Sequence, residues 1–184
     1  MKKSLNLRGL KKSAHLLFFF TLSGVLSMQG CGYTSKTTLP DNIKTIHIAT
    51  VKNKIPINRL YAYYPGLEMM ITNAVVQRMN RDGNLKVVSA EKADAILESD
   101  MVSFDQEGLR FTTLESVEEY RLFIVLDVRL RNAKTGQIIW EEPNFSGDAE
   151  YFVSSVRSIA RDEAAHRAVD RLARNVVDRI VEDW

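Results

Sequence analysis

The sequence YRLFIVLDVRLR, at residues 120–131, decides the fold. Branched apolar residues occupy every second position: Leu122, Ile124, Leu126, Val128 and Leu130. Charged residues occupy four of the positions between them: Arg121, Asp127, Arg129 and Arg131. Alternation with this period is typical of a β-strand that buries one face and leaves the other in water. The pattern therefore predicts a central strand whose apolar face points toward the core.

Weaker alternation predicts further strands on both sides of this segment. Residues 137–151 follow a turn at 132–136 and are expected to bend or break near Pro143. Residues 95–109 form a candidate long strand before the central one, and residues 43–51 form a candidate first strand.

Two segments carry apolar residues at helical spacing. In residues 66–81 the apolar face comprises Leu67, Met70, Ile71, Ala74, Val75 and Met79. In residues 155–182 it comprises Ala165, Val169, Leu172, Val176 and Ile180. With a short extended piece at Val87-Val88 left aside, the order is β-α-β-β-β-α. It predicts an α+β fold, two helices packed on a four-stranded mixed β-sheet, as a single α/β sandwich domain over residues 43–184. The first crossover is expected to be right-handed.

The charge of the chain is unevenly distributed. The 184 residues include 25 Lys and Arg and 23 Asp and Glu, which gives a net charge of +2. Residues 1–30 hold five of the basic residues and no acidic one, so residues 31–184 carry 20 basic and 23 acidic residues, a net of −3. This balance argues against a nucleic acid partner, because such binders usually carry a basic excess.

Residues 1–30 have the pattern of a signal peptide. A basic stretch precedes the apolar run at residues 16–26, which is short for a permanent membrane span. Gly30 and Cys31, the chain's only cysteine, then resemble a bacterial lipoprotein box. We expect residues 1–30 to be removed and Cys31 to receive diacylglycerol and an N-acyl chain, with residues 31–42 as a lipidated lead. The alternative is a buried structural cysteine.

The residues around Cys31 refine this expectation. Met28 stands where leucine is usual in a lipoprotein box, and Gln29 is larger than the usual alanine or serine. Gly32 replaces the aspartate that, in the sorting signal of enteric bacteria, retains lipoproteins in the inner membrane. By that resemblance the chain is expected at the outer membrane. Several acyl chains anchor a protein stably where a single one does not.

Nothing in the sequence indicates an enzyme, a metal site or a cofactor other than the acyl chains. His47 and His166 have no ligand spacing, and no phosphate-binding loop, GxSxG or HExxH motif is present. Within a strand, the adjacent acids Glu118-Glu119 and Glu141-Glu142 would point to opposite faces, so neither pair makes an acid–base dyad. The tyrosines Tyr61, Tyr63 and Tyr64 form either a recognition patch or the edge of a core or interface.

Several short stretches together resemble the lipopolysaccharide-assembly lipoprotein family, LptE. Near the start they are Cys31-Gly32-Tyr33, Leu39-Pro40, IKTI at 43–46 and Asn53. Farther on they are Gly66-Leu67-Glu68 with Thr72, DGNLKVV at 82–88, ADAIL at 93–97, EYRL at 119–122 and TGQIIW at 135–140. Their order and spacing, with the final helix, extend the resemblance over essentially all of the chain after Cys31.

The resemblance implies a specific function. Members of this family are outer-membrane lipoproteins with a β-α-β-β-β-α fold. They sit as a plug in the lumen of the large lipopolysaccharide-assembly β-barrel, help that barrel fold, and help insert lipopolysaccharide into the outer leaflet. They are also described as binding lipopolysaccharide.

The predicted topology suggests where such binding would occur. The loop between the second and third strands lies at one end of the sheet. The fourth strand ends there and the last helix starts there, which brings Arg110, Arg121 and Arg157 together. Arginine forks match the geometry of phosphates, which lipopolysaccharide carries on its lipid A part. These three arginines, here called the arginine pole, are our candidate lipopolysaccharide site. The alternative is solvated arginines at strand and helix ends.

Two other functions fit a small periplasmic domain. One is an outer-membrane lipoprotein that activates or scaffolds a peptidoglycan-synthesis enzyme. About twelve residues separate Cys31 from the first predicted strand, and at roughly 3.3–3.6 Å per residue they reach about 40 Å, which favours a domain held near the membrane. The other, a soluble periplasmic enzyme, lacks candidate catalytic residues.

Overall fold

A computed structural model describes residues 43–56, 64–153 and 157–181, with the side chains of the last helix described from Ala160 onward. All of these residues lie in one unit, Lys36–Trp184. The signal peptide, Cys31 and the tyrosines Tyr61 and Tyr63 lie outside the described residues.

The described residues contain a mixed sheet of six strands. In chain order they are β1 (Thr45–Ile48), β2 (Lys52–Asn53), β3 (Lys86–Val87), β4 (Ala95–Phe111), β5 (Val117–Asn132) and β6 (Ile138–Phe152). The strand order is β3-β1-β4-β5-β6, with β2 also paired to β4. β1, β2 and β3 join the sheet in parallel, whereas β4, β5 and β6 are antiparallel neighbours.

The prediction of four strands is therefore wrong. The single strand expected at residues 43–51 is divided, because the five residues from Ile48 to Lys52 run beside only four on β4, from Leu97 to Asp100. At the break, the backbone N–H of Val51 donates to Oγ1 of Thr72 on the first helix at 3.1 Å. The extended piece near Val87 is also part of the sheet, as β3 at its edge.

The alternation along β5 is confirmed. Leu122, Ile124, Leu126, Val128 and Leu130 are all buried, at 1% exposure or less. The expected irregularity near Pro143 is present as a β-bulge, since the pairing of β5 with β6 shifts between Leu126 and Val128. There Asn144 has a positive φ of 57° and its N–H donates to Oδ1 of Asp127 at 3.0 Å.

Two α-helices are present in the described residues, α1 (Leu67–Asp82) and α2 (Arg157–Val181), within two residues of the predicted bounds. They pack on each other and cover one face of the sheet. The predicted apolar stripe of α2 is fully buried. α2 lies very close to the sheet at Gly147, where a Cβ atom would lie 2.5 Å from the carbonyl oxygen of Ala168.

A row of polar side chains on α2 also binds β6, the outer strand of the sheet. Arg167 and Asn175 donate to the backbone carbonyls of Glu150 and Ser146, at 2.9 and 3.2 Å. Between and beyond them, Arg171 pairs with Asp148 at 3.0 Å and Arg179 with Glu142 at 2.8 Å. The four residues are spaced four apart, so they lie along one side of the helix. The helix therefore holds β6 by polar contacts as well as by its apolar face.

The other face of the sheet carries rows of ion pairs across the three long strands. Arg131 binds Glu98 at 3.0 Å, and Arg129 lies between Asp100 at 2.9 Å and Glu141 at 3.8 Å. Cross-strand pairs of opposite charge stabilise a sheet by roughly 0.2–1 kcal/mol each. The arginines of the central strand are therefore largely neutralised on this face.

Candidate functional site

The candidate site is the end of the sheet where β4 turns into β5 and where β6 ends, here called the hairpin end (residues 107–121 and 148–153). A tight turn closes it. The N–H of Thr112 donates to the carbonyl of Ser116 at 2.8 Å, and the Thr112 hydroxyl accepts from the N–H groups of Leu114 and Ser116 at 3.1 and 3.2 Å. Glu115 takes the left-handed conformation that the turn requires, with φ of 60°. The turn is thus fixed by its own hydrogen bonds.

Exposed apolar side chains are concentrated at the hairpin end. It holds five of the seven large apolar side chains that are exposed in the described part of the chain. They are Leu109, Phe111, Leu114, Phe152 and Val153, and Leu114 at the turn is 86% exposed. A cluster of exposed apolar residues marks a candidate surface for a partner, ligand or membrane.

Arg110 stands among these apolar residues. Its guanidinium pairs with Glu119 across the hairpin at 3.2 Å and lies 5.6 Å from the ring centroid of Phe152. The Arg110 side chain is 60% exposed, whereas that of Glu119 is only 11% exposed. The arginine thus presents a charged group beside apolar surface, and the nearly buried carboxylate of Glu119 fixes its position.

Arg121 has a different environment. Its guanidinium binds Glu150 at 2.8 Å, Glu107 at 3.4 Å and Asp148 at 3.8 Å. The hydrogen bond to Glu150, followed by the charges around it, raises the pKa of Arg121 above its ordinary value. Because three carboxylates surround one guanidinium, this cluster of four side chains has an excess of negative charge.

The structure brings Arg110 and Arg121 to the same end of the sheet. Arg110 is paired with Glu119, which is two residues before Arg121 on β5 and therefore on the same face. Arg157 is the first residue of α2, five residues after the end of β6, and its side chain lies outside the described part. The apolar residues of the hairpin end are not predicted from the sequence, although Leu109, Phe111 and Leu114 adjoin the predicted strand end.

The other residues that the sequence analysis considered make packing, hydrogen-bond or ion-pair contacts within the domain. The His47 ring lies 3.1 Å from the carbonyl of Val88, and Tyr64 packs edge-on against Phe104 at 6.2 Å. Glu141 and Glu142 point to opposite faces, toward Arg129 and Arg179, as their adjacency predicts.

One further acid, which the sequence argument did not single out, joins three parts of the sheet. Asp94 accepts from the Thr45 hydroxyl at 2.8 Å, from two backbone N–H groups and from Lys134. These hydrogen bonds, that of Thr45 first, lower the pKa of Asp94 to about 2. Across the described ranges, no group of three or more acidic, histidine or cysteine residues is placed to hold a metal ion. Neither described helix is long and apolar enough to cross a membrane.

These features define a small α+β domain with two helices on a mixed sheet and a long hairpin that ends in an arginine and apolar residues. Solved structures share the fold at low sequence identity. The hypothetical protein CT253 from Chlamydia trachomatis is 12% identical, with a TM-score of 0.50 over 75% of this chain and 95% of that one. Protein XCC0632 from Xanthomonas campestris is 15% identical, with a TM-score of 0.52 over 77% and 86%. A comparison with curated proteins gives no match.

The family is shown by the sequence. The model of the family described as "LptE: Lipopolysaccharide-assembly" matches residues 43–183, which is most of the chain. The chain belongs to the LptE family, and its general role is in lipopolysaccharide assembly. The predicted family is therefore confirmed.

Proposed function

We propose that the chain is an outer-membrane lipoprotein that plugs the lipopolysaccharide-export β-barrel, assists the assembly of that barrel, and helps insert lipopolysaccharide into the outer leaflet. The observation that carries the proposal is the family match over residues 43–183. In this role the chain acts by binding and not as an enzyme, and its partners are the barrel and lipopolysaccharide.

The hairpin end supports direct contact with lipopolysaccharide. That ligand is amphipathic, with phosphates beside acyl chains, and the hairpin end places the exposed Arg110 among exposed Leu109, Phe111 and Phe152. A guanidinium can bind a phosphate with two parallel hydrogen bonds, and buried apolar surface contributes roughly 25 cal/mol per Å². Within the proposed arginine pole, Arg110 and Arg157 are the residues expected to bind phosphate. Arg121, which three carboxylates already surround, is expected to hold the strands together beneath them.

Removing the charges of the arginine pole should weaken lipopolysaccharide binding. We expect the double variant Arg110→Gln/Arg157→Gln to bind lipopolysaccharide at least about a hundredfold more weakly, since two charge-assisted hydrogen bonds contribute roughly 1.5–3 kcal/mol each and 1.4 kcal/mol is a factor of ten. The measurement is the affinity of the purified chain for lipopolysaccharide in detergent. Lys134→Gln, which removes an exposed charge at the opposite end of β5, is the control. Equal affinity of the double variant and this control, with both folded, would reject the site.

The membrane anchor in this proposal is Cys31, acylated after removal of residues 1–30. Gly32 favours sorting to the outer membrane, and the lead of residues 31–42 keeps the domain within about 40 Å of the anchor. The chain therefore reaches the barrel from the periplasmic side while its lipid stays in the inner leaflet of the outer membrane. No cofactor besides the acyl chains is expected.

Purification from detergent-solubilised outer membranes tests the proposal as a whole. We expect the chain to recover a large β-barrel protein in equal amount, and the mass of the chain to correspond to a start at triacylated Cys31. The same purification from membranes without the tagged chain is the control for unspecific recovery. Recovery of a peptidoglycan synthase in place of the barrel would support the activator function instead and contradict the plug.

A further inference from the structure

A groove between the two helices lies apart from the hairpin end. It has a volume of about 260 Å³, near the lower limit of the roughly 300–1,000 Å³ typical of small-molecule sites. α1 contributes Ala74, Gln77, Arg78 and Arg81, and α2 contributes Asp170, Ala173 and Arg174. The small side chains of the two alanines leave the space open between the helices. The size suits one charged group with a small attachment, not a whole lipid.

The groove carries more positive than negative charge. Arg78 pairs with Asp178 through one terminal nitrogen at 2.9 Å. In the part of the chain that the structure describes, neither Arg81 nor Arg174 has a carboxylate oxygen within 4 Å. Since Asp178 neutralises Arg78, the charges that remain in the lining are those of Arg81, Arg174 and Asp170, which give the groove a net charge of +1. Two guanidinium groups are therefore available to an anion.

Arg78 offers a further donor. Its Nε atom is buried and has no hydrogen-bond acceptor among the described residues. A buried donor without an acceptor costs roughly 1–3 kcal/mol. A rotation of the Arg78 side chain that turns this N–H toward an oxyanion in the groove would remove that cost. The Gln77 amide lines the same groove and can donate as well.

We propose that this groove binds a phosphate group, held by the guanidinium groups of Arg78, Arg81 and Arg174. Guanidinium groups match the tetrahedral oxyanion with forked hydrogen bonds, and a net positive groove favours it over a neutral ligand. The phosphate is either carried by a glycolipid head group or is a free phosphate. The proposal does not depend on the function proposed for the hairpin end, because no residue is shared between the two sites.

The test is a titration of the full-length lipoprotein in detergent at low ionic strength, followed by NMR of the arginine Nε–H signals. With inorganic phosphate we expect saturable binding with a Kd on the order of 1 mM. The Nε–H signal of Arg78 should shift most, while that of Arg131, already hydrogen-bonded to Glu98 at 3.0 Å, should stay in place. Absence of a saturable shift at Arg78 up to about 20 mM phosphate overturns the proposal.

Variants separate a site from general attraction to a basic surface. Arg81→Gln/Arg174→Gln should raise the Kd at least tenfold, and Asp170→Asn should lower it severalfold because one negative charge is removed. Arg171→Gln, which removes a charge from the same helix outside the groove, is the matched control and should change the Kd less than twofold. Equal losses in the double variant and this control overturn the proposal.

A second titration identifies the source of the phosphate. Lipopolysaccharide micelles are compared with the same lipopolysaccharide after enzymatic removal of its phosphates, using the Arg110→Gln/Arg157→Gln chain so that the arginine pole does not contribute. A shift at Arg78 with intact micelles but not with the dephosphorylated ones, in addition to the shift with inorganic phosphate, assigns the groove to a glycolipid head group. A shift with inorganic phosphate and with neither micelle assigns it to free phosphate.

Discussion

The variant Gly147→Ala should unfold far more easily than the original chain, with a loss of at least about 3 kcal/mol in the free energy of unfolding. The added Cβ would lie 2.5 Å from the carbonyl oxygen of Ala168, and 2.5 and 2.7 Å from the Cβ and N atoms of Leu172. These are backbone or backbone-adjacent atoms of α2, so no side-chain rotation can relieve the overlap. The helix has to move away from the sheet, which opens a closely packed interface.

The measurement is guanidinium chloride unfolding followed by circular dichroism. Ser146→Ala, one residue away on β6 and exposed, is the control and should change the free energy of unfolding by less than about 0.5 kcal/mol. If Gly147→Ala unfolded at the same denaturant concentration as this control, the close approach of α2 to β6 would be wrong.

The variant Leu172→Ala should lose about 2–5 kcal/mol, because Leu172 is fully buried and its removal leaves a cavity between α2 and the sheet. Leu114→Ala is the control, since Leu114 is a leucine that is 86% exposed, and it should cost less than about 0.5 kcal/mol. Both are read from the same denaturation curves. A loss below 1 kcal/mol in Leu172→Ala would mean that this part of α2 does not pack as described.

The two variants combined give a further check of the geometry. Alanine at position 172 keeps the Cβ and backbone N atoms that Gly147→Ala would contact. Leu172→Ala should therefore fail to rescue Gly147→Ala, and the double variant should be no more stable than either single one. Rescue would place the overlap on the outer part of the leucine side chain.

The sequence predicts those parts of this fold that rest on local periodicity. The alternation along β5 and the apolar stripe of α2 both correspond to buried faces, because each pattern reports one face of one element. The division of the first predicted strand could not be predicted in this way. At the break, the N–H of Val51 donates to Thr72, a residue 21 positions away that meets it only in the folded chain.

The candidate site was predicted in part. The predicted topology has Arg110 and Arg121 at one end of the sheet, and the structure has them there. The acids around Arg121 cannot be predicted in this way, since Glu107 and Glu150 are 14 and 29 residues away and meet it only through the register of three strands. The groove between the helices was likewise hidden, because its arginines come from two elements whose packing no single periodicity reports.

The polar row that joins α2 to β6 has a consequence for self-association. An outer strand with free backbone groups is a template on which another chain can add a strand, and such addition leads to aggregation. On β6 the carbonyls of Ser146 and Glu150 are already occupied by Asn175 and Arg167. The opposite outer strand, β3, has only two residues. An incoming strand would have to displace helix side chains at the β6 edge and would find a ladder of only two residues at β3, which protects these two outer strands from strand addition.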